Sequence, residues 1–193
     1  IDGVRMEFQY APDTEAPAEL TVFFPDFGAW CGAELVSRNL HNLYTLRGAQ
    51  VRDALAWSAG IEEARRVFGG RAEVAFNSHH WPVWGADEVD DFLVAQRDIY
   101  KYIHDQTLRL AARGLGPDEI AETIVLPDAL AGRFAVRGYY GTLRHNSRAV
   151  YQRYFGWYDG VPANLDPLPR GEAAQRYVDL LGGVEAVIAE AET

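Results

Sequence analysis

Between Val89 and Leu110, a mostly apolar set recurs at steps of three and four: Val89, Phe92, Leu93, Gln96, Ile99, Tyr100, Ile103, Thr107 and Leu110. That spacing places them on one stripe of an α-helix more than twenty residues long, ending near Gly114. A stripe of this length must be covered, so the chain has to fold around this helix. Further helical patterns follow it. Pro117-Asp118-Glu119 and Pro127-Asp128 each set a proline near a helix start, where its missing N–H costs nothing, with acids at the positive end of the dipole. Helices also fit Ser147 to Phe155, Gly171 to Leu181 and Val184 to Glu190, with Gly182-Gly183 separating the last two.

The first eighty or so residues read differently. Val4 to Tyr10 alternates with period two, Leu20 to Phe24 is β-branched and aromatic, and Ala72 to Phe76 is a third strand candidate. Ala11 to Pro17, with its two prolines, is a loop. A helical pattern fills most of Val51 to Val67. The change of character near Trp84-Gly85-Ala86 divides the chain into an α/β segment, 1–85, and an all-α domain, 86–193. Three strands are few for a complete sheet domain, so either more strands exist or another piece of chain completes the sheet.

The composition narrows the function classes. A net charge of −10, from 28 acidic and 18 basic residues, repels a phosphate backbone, and no Lys/Arg run forms a basic stripe. Nucleic acid is therefore not an expected partner. No apolar run approaches the roughly 20 residues that span a bilayer. The chain opens without an initiator Met and reads as a fragment or processed form, which leaves its compartment open. The single cysteine, Cys31, is expected to be a small buried hydrophobe rather than a nucleophile.

Candidate chemistry gathers in the α/β segment. Glu15 lies in the proline-bounded loop after the first strand, and Glu34 follows Trp30-Cys31-Gly32-Ala33 among apolar neighbours. His79-His80-Trp81-Pro82 sits at a strand end, where direction is fixed, and imidazole is the commonest metal ligand. Each also has a structural reading as a solvated or helix-end side chain, and the spacings match no short zinc motif. In His41-Asn42-Leu43-Tyr44-Thr45-Leu46-Arg47-Gly48, Asn42 and Arg47 are able to cradle an anion: Arg grips an oxyanion with two parallel hydrogen bonds and Asn adds a neutral donor. A capping Asn and a surface Arg fit the same residues. His104 and His145 are expected to pack in or beside helices. The aromatics Tyr139, Tyr140, Tyr151, Tyr154, Phe155, Trp157 and Tyr158 are expected to be helix-packing core, with an interface as the second use.

Seven segments taken in order resemble the zinc-dependent class III alkyl sulfatases of the metallo-β-lactamase superfamily. They are Thr14–Glu19, Cys31–Glu34, His41–Ala49, Ser78–Pro82, Tyr102–Arg109, Arg137–Gly141 and Tyr151–Gly160. The resemblance implies the C-terminal half of an αββα metallo-β-lactamase sandwich followed by an all-α helical dimerisation domain, and hence a homodimer. It implies that Glu15 and His79 are zinc ligands, that Glu34 bridges two zinc ions, and that Asn42 and Arg47 bind the sulfate group of an alkyl sulfate. The family's first ligands come from an upstream His-x-His-x-Asp-His run, and none of the five histidines here stand two apart. The parent protein is thus expected to hydrolyse alkyl sulfate esters and this chain alone to be inactive. Two alternatives remain: a non-catalytic helical dimerisation module, or the same metal scaffold acting on a phosphodiester or lactone.

Overall fold

The computed structural model describes residues 1–192. They divide into two compact units, Ile1–Trp157 and Tyr158 onwards. In the first unit, strands β1 (Glu7–Tyr10), β2 (Leu20–Phe24), β3 (Ala29–Cys31), β4 (Val74–Phe76) and β5 (Val83–Trp84) form one sheet in sequence order. All neighbours are antiparallel except β3 and β4, which run parallel. The strand count from sequence was low. β3 and β5 are three and two residues long, too short for alternation to show.

A parallel pair needs a crossover, and the β3–β4 connection carries the loop 32–53 and helix α1 (Ala54–Ala64). Asp53 caps α1 by accepting hydrogen bonds from the Leu55 and Ala56 amides at 2.9 and 3.1 Å. A π-helical turn, Arg65–Gly69, continues it. Helix α2 (Ala86–Ala111) is the long helix of the sequence pattern, and all nine stripe residues are buried. Trp57 of α1 stacks on Tyr100 of α2 at 4.6 Å between ring centroids, and both are fully buried with Ile61, Ile99 and Ile103. Each such side chain contributes about 1.5–3 kcal/mol of apolar burial.

The sheet's two faces differ. Phe23, Trp30, Ala75 and Val83 point into the core, while Phe8, Tyr10, Leu20 and Trp84 stay exposed. Helices α3 (Pro117–Thr123), α4 (Asp128–Ala131) and α5 (Leu143–Phe155) complete this unit. α3 and α5 pack with α2 around Leu110, Ile120 and Ile124. The second unit holds α6 (Pro162–Leu165), α7 (Arg170–Leu180) and α8 (Val184–Ala191), joined by turns that include left-handed Gly182 and Gly183. None of these three helices has a buried residue. The architecture is a small five-stranded sheet layered with helices and followed by more helices, the partial sandwich and helical domain expected above.

Two expectations need correction. Cys31 is only half-buried, because it lies on the less covered sheet face opposite Val22 and Phe76. Most of the late aromatics are not core: Tyr139 is 86% exposed and Trp157 67%, with Tyr140, Tyr154 and Phe155 also exposed, while Tyr151 is partly buried against Leu110, Ile120 and Ile124 as expected. The core around α2 is filled by Trp57, Phe92, Tyr100 and aliphatic side chains, which leaves the exposed rings outside it. No described helix is long and apolar enough to cross a membrane.

Candidate metal centre

The topology brings three loops to one edge of the sheet. Because β1 and β2 are antiparallel, their connecting loop lies at the edge where β3 ends, and β4, parallel to β3, ends there too. Glu15 occupies the first loop, Glu34 follows β3 and His79 follows β4. The two strand exits are laced together. The Gly32 amide donates to the Phe76 carbonyl at 2.7 Å, and the Ser78 amide to that of Ala33 at 2.9 Å. Ala33 takes a left-handed φ of 47°, a conformation uncommon outside Gly, Asn and Asp.

Glu34 is the hub. One carboxylate oxygen lies 3.5 Å from His79 Nε2 and the other 3.8 Å from His41 Nε2. Donor atoms of Glu15, Glu34 and His41 all fall within 4.8 Å of one another. His41 was not singled out from the sequence as a site residue. Its only signal was its place before Asn42 in the motif. Burial, the main cause, pushes its pKa down to about 4, so the imidazole is neutral near pH 7. Nδ1 donates to the Asn42 carbonyl at 2.9 Å, which leaves the Nε2 lone pair facing Glu34. Two carboxylates and neutral imidazole are a donor set that zinc accepts. The residues present therefore fit a divalent cation.

Arg52, also not foreseen, holds Glu15. Its Nε donates to the Glu15 carbonyl at 2.6 Å and its Nη2 to the carboxylate, while Nη1 donates to Asn42 Oδ1 at 2.6 Å. Asn42 is thus buried beside the centre and tied to Glu15 through one guanidinium. Arg47 is exposed and lines a cavity of about 330 Å³ together with Glu15 and Arg52. Beneath Glu34, buried Glu19 accepts the Glu34 amide at 2.9 Å, and burial raises its pKa.

Two helices fix the loop that bears His41 and Asn42. Gln96 of α2, fully buried, accepts the Ser37 amide at 3.3 Å and donates to the Ala135 carbonyl at 2.5 Å. Asn146 of α5 accepts the Leu43 amide at 3.0 Å and donates to the His41 carbonyl at 2.9 Å. As expected, His104 and His145 pack with helices: His104 Nε2 lies 2.9 Å from the Tyr154 hydroxyl, and His145 Nε2 donates to the Tyr44 carbonyl at 2.8 Å.

Residues 116–193 match the family described as alkyl sulfatase dimerisation. Over its full length the chain is 48% identical to a linear primary-alkylsulfatase of a Pseudomonas species. The chain is similar in sequence to alkylsulfatases. It is also 48% identical, over 99% of its length, to the alkyl/aryl-sulfatase BDS1 of Saccharomyces cerevisiae. Among solved structures, it superposes on the stereoselective inverting sec-alkylsulfatase Pisa1 from a Pseudomonas species with a TM-score of 0.95 over 98% of its residues, at 44% identity. It spans only 28% of the bacterial relative, 30% of the yeast relative and 30% of the Pisa1 chain.

Proposed function

We propose that the protein containing these residues is a zinc-dependent hydrolase of alkyl sulfate esters, and that this stretch alone is inactive. The observation that carries the reading is the clustering of Glu15, Glu34 and His41, with His79 3.5 Å from Glu34, in a chain so similar to alkylsulfatases. In this reading Glu15 and His79 ligate zinc, Glu34 bridges two ions, and ligands outside this stretch complete the site. Glu34 already turns one oxygen toward each of two imidazoles, as a bridging carboxylate does. Bound zinc supplies a water of lowered pKa as a source of hydroxide near neutral pH. Asn42 and Arg47 hold the sulfate and offset the charge that develops on it. Arg52 fixes Asn42 by taking its amide oxygen, which leaves the amide NH₂ as donor.

We also place a module boundary near Gly85, with 86–193 as a helical domain that pairs two copies of the protein. Leu180, Leu181, Val184 and Ile188, all exposed, supply apolar surface for that contact.

The test is metal analysis of the full-length protein alongside sulfate release from dodecyl sulfate. Bound zinc and released sulfate are expected. A metal-free protein that leaves dodecyl sulfate intact overturns the reading in favour of a non-catalytic dimerisation module. Turnover of a phosphodiester or lactone that Arg47→Ala leaves unchanged would favour the other-ester alternative.

A further inference from the structure

Beside the carboxylate–imidazole cleft lies a second cavity of about 310 Å³, and the two share Asn39, His80 and Tyr139 as wall. Trp81 and Phe134 form its apolar side, their ring centroids 5.7 Å apart. Two guanidinium groups line it as well. Arg38 sits with its central carbon 5.4 Å from the Trp81 ring and 5.6 Å from that of Phe92, and Arg137 lies 4.3 Å over Phe134.

Neither side chain donates a hydrogen bond or joins an ion pair among the described residues, and Arg38 Nε is buried without an acceptor. Among the arginines of this acidic chain without an ion pair, Arg38 is set apart by its buried Nε. Arg52, Arg65, Arg71, Arg97 and Arg133 are paired with carboxylates, whereas no carboxylate pairs with Arg38 or Arg137 among the described residues. The carboxylate whose charge reaches Arg38 is Glu88, which acts through space without a hydrogen bond. A guanidinium packed against rings has its edge left for hydrogen bonding, and that edge matches a pair of oxyanion oxygens. Leaving a buried N–H orphaned is costly, so an acceptor arriving there is favoured.

We infer that this cavity is a second anion subsite, taking the sulfonate, sulfate or carboxylate of an amphiphilic organic anion on Arg38 and Arg137, with its apolar body against Trp81 and Phe134. It goes beyond the sulfate site proposed above, since Arg47 lines a different cavity with Glu15.

Calorimetric titration of the full-length protein with octanesulfonate, whose carbon–sulfur bond is not an ester, tests this. Wild type should bind at two sites. Arg47→Ala should remove one, while Arg38→Met and Arg137→Met should each weaken the other at least about tenfold by removing a charge-assisted pair. Octanol at equal concentration should not displace the second ligand. Arg137 is exposed, so its variant keeps the test readable if Arg38→Met fails to fold. A single site abolished by Arg47→Ala, or a second site indifferent to Arg137→Met, overturns the inference. If Arg47→Ala leaves both sites intact while Arg137→Met weakens one, the sulfate role of Arg47 fails and the second subsite stands.

Discussion

Glu34 faces two imidazoles at once, those of His41 and His79. Replacing it by Gln removes a charge and half of the oxygen donors while keeping the shape. Glu34→Gln is expected to weaken zinc binding by at least about ten- to a hundredfold, the scale at which even outer partners of metal ligands act. Competition with a chromophoric chelator measures it. Gly141 acts by what it lacks. A Cβ there would stand 2.4 Å from the His41 carbonyl oxygen and 2.7 Å from the Asn42 amide nitrogen, both backbone atoms. Gly141→Ala must push the His41–Asn42 loop aside, and about 1–3 kcal/mol of destabilisation is expected, in the range of overpacked cores. A urea titration reads this as a lower midpoint with an unchanged slope. Glu15, Glu34 and His79 were put forward by the sequence through their motifs, and the fold sets all three in loops at the same end of the sheet. His41 and Arg52 were not, because their roles depend on neighbours brought in by the fold.

At the scale of elements, the cleft is held by amides reaching out of helices. Asn146 satisfies the Leu43 amide and the His41 carbonyl, both more than a hundred residues away in sequence. Asn146→Leu leaves two buried backbone groups unpaired, each costing about 1–3 kcal/mol. A loss of roughly 2–4 kcal/mol is expected by chemical denaturation, and Asn146→Asp should be damaging too, since it cannot donate to the His41 carbonyl. The α2 stripe was legible because its period repeats over six turns, and the buried set follows it residue by residue. β3 and β5 were not. A strand of two or three residues has no period to read, and its identity comes from the neighbours that pair with it.

For the whole molecule, α7 and α8 carry exposed apolar surface. Neither helix buries a residue, and Leu180 is 83% exposed. If this surface pairs two copies, Leu180→Asp with Ile188→Asp should halve the mass of the full-length protein in sedimentation, because charges in an apolar interface are left without partners. An unchanged mass would remove these helices from the interface. From the sequence alone come the long helix, the proline-marked helix starts, the shift from sheet to helix near Gly85, and the family resemblance. All of these rest on local period, local chemistry or ordered motifs. Tertiary structure decided that loops starting at residues 11, 32 and 77 share one edge, since that follows from the antiparallel and parallel pairing of β1 to β4. It also decided that His41 is a buried neutral imidazole beside Glu34 and that Arg38 and Arg137 line one cavity. Burial and distance belong to the packed chain, and no spacing in the sequence encodes them.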